Sequence, residues 1–390
     1  MEAFSEEKND VFVPQKIFMQ RAIELAKRGG GKVHPNPLVG AVIEKDGKII
    51  AEGFHHEYGN LHAERDALKN AAEKNACVRG ANLYVTLEPC CHTGKQPPCT
   101  QAIIDAGIKN VVIGSRDPNS LVNGKGVAQL ENAGIKIFRD FMKTECDSLN
   151  EIFFYYITAK RPFVIVKYAQ SADGKTSLSS GESKWITNES SREYVHYLRG
   201  TTAAVMCGIQ TVLKDDPLLT CRIKGEELNQ PVRIVLDTEL KIPLESNLVK
   251  TANEVPLIIF TCSDSAKKSA LEEKGAKVIQ IEKKDSHIDI LQVLKKLGEF
   301  SIDSVLVESG GSLNSSLFFY GKEKKCLVNK GLCFVAPKIL GGINGTVHSP
   351  VQGIECSSLL SCVNLALKNV KTFSGDLLLE YDFKEPCLEE

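Results

Sequence analysis

The chain has no apolar run long enough to span a membrane. Its acidic, polar start, residues 1–10, lacks the apolar core of a secretory signal. An excess of one charge is also missing. Over 390 residues the formal net charge is −1, which gives no general pull toward nucleic acid or an anionic membrane. The 13 cysteines are odd in number and scattered, with no compact paired framework. Free thiols in a reducing cytoplasm are the expectation. Internal repeats, low-complexity stretches and a G-x-G-x-x-G fingerprint are absent. What remains is ordinary for a soluble globular protein, 43% hydrophobic and 25% charged. The length allows two or three domains with real cores.

One stretch organises the chain: His62-Ala63-Glu64, completed by Pro89-Cys90-Cys91-His92-Thr93-Gly94-Lys95-Gln96-Pro97-Pro98-Cys99. A zinc ion that activates water needs three protein ligands and an open position, and it takes imidazole nitrogen and thiolate sulfur. His62, Cys90 and Cys99 can supply the three. Glu64, at a helix start, can lean over the metal without binding it. There a carboxylate can take a proton from the activated water and pass it to a leaving amine. H-x-E followed by P-C-x-x-C marks zinc nucleobase deaminases; here the two cysteines bracket a longer loop. Other assignments stay open on these residues alone. Cys91 reads as a small buried residue, yet it could replace Cys90 as ligand. His92 reads as a polar loop residue. A structural zinc would usually be closed by four ligands and would have no use for Glu64.

Periodicity and turn residues predict alternating strands and helices, hence layered α/β sheets. In the first half, helices are expected at 11–28, 63–75, 98–106 and 126–133. Strands are expected at 39–43, 49–54, 82–87, 111–114 and 135–138, with Lys45-Asp46-Gly47-Lys48 as a hairpin signal. The zinc ligands then lie at the N-termini of two helices. Two prolines hold residues 34–37 extended and give Asn36 a fixed direction. Its amide suits a pyrimidine edge and equally a plain turn. His55 lies in the loop running into His62. Residues 140–160 read as a helical connection. From Phe163 a second α/β pattern begins. It has strands at 163–168, 203–207, 233–236, 257–260, 278–281 and 304–307, and helices at 189–198, 208–213, 265–274, 288–297 and 313–320. Glu308-Ser309-Gly310-Gly311-Ser312 is either a tight strand–helix turn or a place where backbone N–H groups approach an anion.

With the zinc motif followed by this second pattern, the chain resembles the bifunctional riboflavin-biosynthesis deaminase–reductases over nearly its whole length after Val11. The motifs are H-P-N-P-x-V-G (34–40), H-A-E (62–64) and L-E-P-C…G-K-x-P-P-C (87–99) in the first half. The second half offers V-K-x-A-x-S-x-D-G-K (166–175), S-x-W-I-T (183–187), G-x-x-T-V-x-x-D-D-P-x-L-T-x-R (208–222) and E-S-G-G-S-L (308–313). The resemblance implies a cytidine-deaminase-like three-layer domain over 1–150 and a dihydrofolate-reductase-like domain over 151–390. It implies two successive reactions on small pyrimidine ribosyl phosphates. Zinc-dependent deamination of 2,5-diamino-6-ribosylamino-4(3H)-pyrimidinone 5′-phosphate comes first. NADPH-dependent reduction of the ribosyl group of 5-amino-6-(5-phosphoribosylamino)uracil to ribityl follows.

Carried over position by position, the resemblance makes His62, Cys90 and Cys99 zinc ligands and Glu64 the proton shuttle. Asn36, His55 and Lys95 become deaminase substrate contacts. Ala169, Trp185, Thr211, Asp215, Gly310, Gly311, Ser312, Leu313, Asn314, Ser315 and Ser316 match NADPH positions. Ser183, Arg199, Leu219, Arg222 and Glu308 match substrate positions. Arg199 and Arg222 suit a phosphate, which a planar fork grips better than an ammonium does; in another context they would be surface ion pairs. A homo-oligomer is expected, with no nucleic-acid or membrane partner. Two departures stand out. Gln96 replaces the family's usual threonine, and Asn329-Lys330 replaces an acidic pair, which puts local packing in doubt. A nucleic-acid or nucleoside deaminase with a degenerate second domain is the rival enzyme, and a non-catalytic zinc protein the rival class. The former would carry the short C-x-x-C and a basic groove; the latter would not need Glu64. If the ligand assignment holds, Cys91→Ser keeps its zinc and Cys99→Ser loses most of it. The reverse result in metal analysis would place the loop in the wrong register.

Overall fold

Along the strands of the first half, apolar side chains divide between two cores. Ala41, Ile43, Leu83, Val85, Val111 and Ile113 serve one, while Val42, Tyr84 and Val112 serve the other. A strand's period of two makes that division, so both faces of the sheet must be covered. The computed structural model, which describes residues 12–93, 96–223, 228–284, 286–321, 325–342, 348–354, 356–359 and 362–383, shows how. Helices Ala63–Glu73, Cys99–Asp105 and Lys125–Asn132 bury Ala67, Ile103 and Leu130 on the first face. Helices Lys16–Lys27 and Lys143–Leu149 bury Met19 and Cys146 on the second. The result is a three-layer, cytidine-deaminase-like domain. Its strands run in the order Lys48–Phe54, Gly40–Lys45, Asn82–Leu87, Asn110–Ser115, Lys136–Phe138. The first two form the expected hairpin, turning at Asp46 (φ 53°) and Gly47 (φ 75°), and the last three are parallel.

Three expectations shift. The first helix starts at Lys16, because Pro14 disfavours helix before it and Phe12 packs edge-on against Tyr84 and Phe138 instead. Residues 34–37 are not simply extended: His34 and Pro35 form a turn containing a cis peptide. The 140–160 connection is two helices, Lys143–Leu149 and Glu151–Ala159. They break at buried Asn150, whose amide bonds Leu38 N at 2.8 Å and Leu38 O at 2.9 Å.

The chain divides into two compact units, residues 1–29 with 36–154, and residues 30–35 with 155–390. The second unit holds a nine-stranded sheet in the order Lys277–Gln280, Leu257–Thr261, Val232–Leu236, Ala204–Gly208, Ser304–Glu308, Phe163–Ser171, Lys330–Ala336, Asp376–Phe383, Leu365–Phe373. The first seven are parallel to one another, and the last two add a hairpin whose strand Asp376–Phe383 runs antiparallel to Lys330–Ala336. This is the dihydrofolate-reductase-like arrangement. Helix Ile290–Glu299 buries Ile290, Val293, Leu294 and Leu297 against the sheet at helical spacing. The hairpin and the strand Lys330–Ala336 were not anticipated. Asn329 and Lys330, where the family pattern is broken, are nevertheless well seated. Asn329 exchanges two hydrogen bonds with the Val164 backbone, and the Lys330 ammonium lies 5.9 Å from the Phe163 ring centre.

Gly53 sets the distance between the strand Lys48–Phe54 and the helix Ala63–Glu73. A Cβ there would lie 2.2 Å from Ala67 N and 2.6 Å from Ala63 O. That helix carries His62 and Glu64 at its start. Gly53→Ala is expected to destabilise the protein by about 1–3 kcal/mol, the cost of overpacking. An unchanged denaturation midpoint would show that the contact has slack.

Candidate active sites

His62 ends the loop before helix Ala63–Glu73 in an extended conformation (φ −71°, ψ 158°), so its ring projects beyond the helix end. Glu64 and Asp66 in the first turn complement the helix dipole. Cys99 opens a second helix, and Cys90 follows the strand Asn82–Leu87. His62 Nδ1 lies 3.5 Å from both the Cys90 and Cys99 sulfurs, and all three donor atoms fall within 4.8 Å of one another. Among the described residues this is the one such group of metal-capable side chains. Cys91 turns aside, its Sγ 3.7 Å from Leu121 O, and buried His92 Nδ1 meets no hydrogen-bond partner among the described residues. The hydrogen bond from Cys99, together with His62, pulls the Cys90 thiol well below its usual range. Glu64 is buried beside the Cys99 sulfur, and that burial raises its carboxyl.

Hydrogen bonds lace the long loop shut. Thr100 N donates to Cys90 O at 3.1 Å. Arg65, next to Glu64, donates to Pro97 O at 3.1 Å and Pro98 O at 3.0 Å. Gln96 donates to Gly59 O at 3.0 Å. Asn36 and His55 meet at 3.0 Å. His55 Nδ1 donates to Leu61 O at 2.9 Å, so its Nε2 accepts from the Asn36 amide nitrogen, which turns the Asn36 carbonyl the other way. Burial lowers the pKa of His55. Lys95 lies outside the described residues. Arg65 and Asp117 were missed by sequence reading; burial pushes Asp117 up to about 6, with Glu88 and Cys90 adding to the effect.

In the second unit a cleft of 1140 Å³ opens at the C-terminal ends of the parallel strands, where α/β sheets bind ligands. Ala169, Ser183, Trp185, Arg199, Thr211, Asp215, Leu219, Arg222, Glu308, Gly310, Gly311, Ser312, Leu313 and Ser316 all line it. Asn314 and Ser315 do not. They lie on the buried side of helix Gly311–Phe318, where Asn314 donates to Pro350 O and Ser315 bonds the Gln352 backbone. The resemblance matches both to cofactor positions; here their side chains bond residues 350–352 and do not line the cleft. Gly310 has φ −79°, which any residue adopts, and an added Cβ there would meet no protein atom within 4 Å. Only the cleft would be filled.

Glu308 is the charged centre of that cleft. Lys167 Nζ reaches Glu308 Oε2 at 2.8 Å, while Arg199 Nε and Nη2 grip Oε1 and Oε2 at 2.5 and 3.1 Å. Burial alone would raise the Glu308 carboxyl, but Arg199 and Lys167 outweigh it and hold the group well below the ordinary carboxylate range. Lys167 was overlooked although it stands inside the V-K-x-A motif.

The chain matches the family model "RibD C-terminal domain" over residues 162–379 and the "cytidine and deoxycytidylate deaminase zinc-binding region" over residues 14–115. It is 46% identical to riboflavin biosynthesis protein RibD of Actinobacillus pleuropneumoniae, covering 93% of this chain and 94% of that one. The Escherichia coli RibD is 37% identical over 84% of this chain and 88% of its own. Among solved structures, Acinetobacter baumannii RibD superposes with a TM-score of 0.84 at 35% identity, covering 95% and 99% of the two chains. A diaminohydroxyphosphoribosylaminopyrimidine deaminase/5-amino-6-(5-phosphoribosylamino)uracil reductase from Thermotoga maritima gives 0.81 at 40% identity, covering 94% and 98%. With both of its units matched at this identity and coverage, the chain belongs to the family of the riboflavin biosynthesis protein RibD and is a bifunctional deaminase/reductase.

Proposed function

We propose that the first unit deaminates 2,5-diamino-6-ribosylamino-4(3H)-pyrimidinone 5′-phosphate with zinc. The second would reduce 5-amino-6-(5-phosphoribosylamino)uracil to its ribityl form with NADPH. The convergence of His62, Cys90 and Cys99 beside buried Glu64 carries the proposal. One imidazole nitrogen and two thiolate sulfurs make the donor set of an open zinc site, so the residues present fit that ion. Zinc would supply Lewis acidity there. Glu64 is the group that holds a proton at its carboxylate and hands it to the departing amine. Asn36 directs its carbonyl, the face not used on His55, toward the pyrimidine. The twelve cysteines among the described residues are free thiols, in keeping with a reducing cytoplasm.

The cleft of the second unit fits a dinucleotide. The space at Gly310 and the backbone N–H groups at the start of helix Gly311–Phe318 suit a phosphate. A nicotinamide cofactor would supply the reducing electrons. Lys167 and Arg199 hold Glu308 ionised as a hydrogen-bond acceptor for the sugar hydroxyls, and Arg222 offers a fork to the 5′-phosphate.

Ammonia release from the pyrimidine phosphate, run beside RNA and free cytidine, tests the substrate class; release from the latter two alone would overturn it. Glu64→Ala is expected to keep stoichiometric zinc while deamination falls roughly 10²-fold or more. NADPH oxidation on directly supplied deaminated pyrimidine should be unaffected. Arg222→Ala should do the opposite, costing about 1.5–3 kcal/mol, roughly ten- to hundredfold in reductase kcat/KM, with ammonia release intact. Joint loss of both activities in variants that still melt normally would mean one composite site.

A further inference from the structure

Arg199 and Arg222 both reach the cleft, but they are held differently. Arg199 spends Nε and Nη2 on Glu308, and its Nη1 donates to Thr220 O at 3.2 Å. Arg222 has no carboxylate partner among the described residues. Its Nη1 donates to Thr220 Oγ1 at 2.9 Å, and its Nη2 lies 3.3 Å from His196 Nε2. His196 comes from helix Glu189–Thr201 and lines the same cleft. Its Nδ1 faces Thr220 O at 3.0 Å. A carbonyl only accepts, so Nδ1 carries the hydrogen. A guanidinium only donates, so Nε2 is the bare lone pair. The ring is fixed as one neutral tautomer, since protonation would set two donors face to face. Burial, with the charges of Arg199 and Arg222, lowers the pKa of His196 despite Glu308 nearby.

We propose that His196 is a positioning residue through which the reductase selects a phosphorylated substrate: its neutral Nε2 pins one edge of Arg222, so that an uncancelled positive charge faces the cleft. This rests on Arg222 as the phosphate fork. Left alone, Arg222 would be repelled by Arg199 and drawn toward water, and holding a long side chain still costs rotamer entropy. A carboxylate partner would pin it but cancel its charge, as Glu308 does for Arg199. An uncharged acceptor pins it and leaves the charge for the ligand. Sequence gives no sign of this, because His196 and Arg222 are 26 positions apart and meet only through the fold.

The test compares reductase kinetics on the phosphorylated substrate and on the same compound without its 5′-phosphate, in wild type, His196→Phe, His196→Gln and Arg222→Ala. In His196→Phe, KM for the phosphorylated compound should rise about tenfold with little change in kcat, and phosphate preference should fall by about the same factor. KM for NADPH and ammonia release should stay as in wild type. His196→Gln, whose Oε1 can replace Nε2 as acceptor, should recover most of the preference. An equal loss on both compounds in a folded His196→Phe protein, or a glutamine variant no better than phenylalanine, would overturn the proposal. If Arg222→Ala abolishes phosphate preference while His196→Phe retains it, the role of His196 alone falls. If Arg222→Ala retains the preference, the phosphate fork itself has been misplaced.

Discussion

Two cysteines nine positions apart can face one histidine only if the chain between them doubles back, and closing such a loop costs entropy. Here protein groups contribute to that closure. Arg65 stands one residue beyond Glu64 and grips the carbonyls of Pro97 and Pro98, while Thr100 N–H takes the carbonyl of Cys90. The helix that presents His62 thus fastens the turn that presents Cys99. Because Glu64 lies in the first turn of the same helix, one local geometry sets both the donor triad and the buried carboxylate beside it. The close approach at Gly53 fixes where that helix rests on the sheet.

The second unit uses a different constraint. Strand register pairs Glu308 with Lys167 directly, and Arg199 arrives from a helix to complete the cluster. A buried carboxylate costs several kcal/mol unless its charge is met, and removing one partner leaves the others exposed to that cost. Two cations on one anion, with Arg222 nearby and without a carboxylate partner among the described residues, leave this part of the cleft positive. That balance suits a phosphate ester. The glycine turn that follows Glu308 in the chain, at the start of helix Gly311–Phe318, suits a second anion, so the cleft has two places that attract negative charge.

Much of this was legible in sequence because the informative residues are local. H-A-E and the P-C…P-P-C loop are short, and the strand–helix alternation around them is strongly periodic. What was missed depends on chain returning from afar. Asn150 reads as a helix residue, yet it pairs with Leu38 across 112 positions. Lys167 needs Glu308 beside it before its charge has meaning. The edge strand Leu365–Phe373 has many exposed positions and carries lysines, so it lacks the clean alternation of a buried strand, although Ser374-Gly375 was a usable turn signal. Nor does sequence order say which side of helix Gly311–Phe318 Asn314 and Ser315 occupy.

Two independent chemistries in one chain, only the first of them in need of a metal, should part when the metal is removed. Measuring both activities on protein stripped of metal by a chelator, and again after zinc is restored, tests it most directly. Ammonia release from the diaminopyrimidine phosphate should vanish and return with zinc, while NADPH oxidation on the deaminated compound persists throughout. Ammonia release by metal-free protein, or loss of both activities while the protein remains folded, would contradict the account.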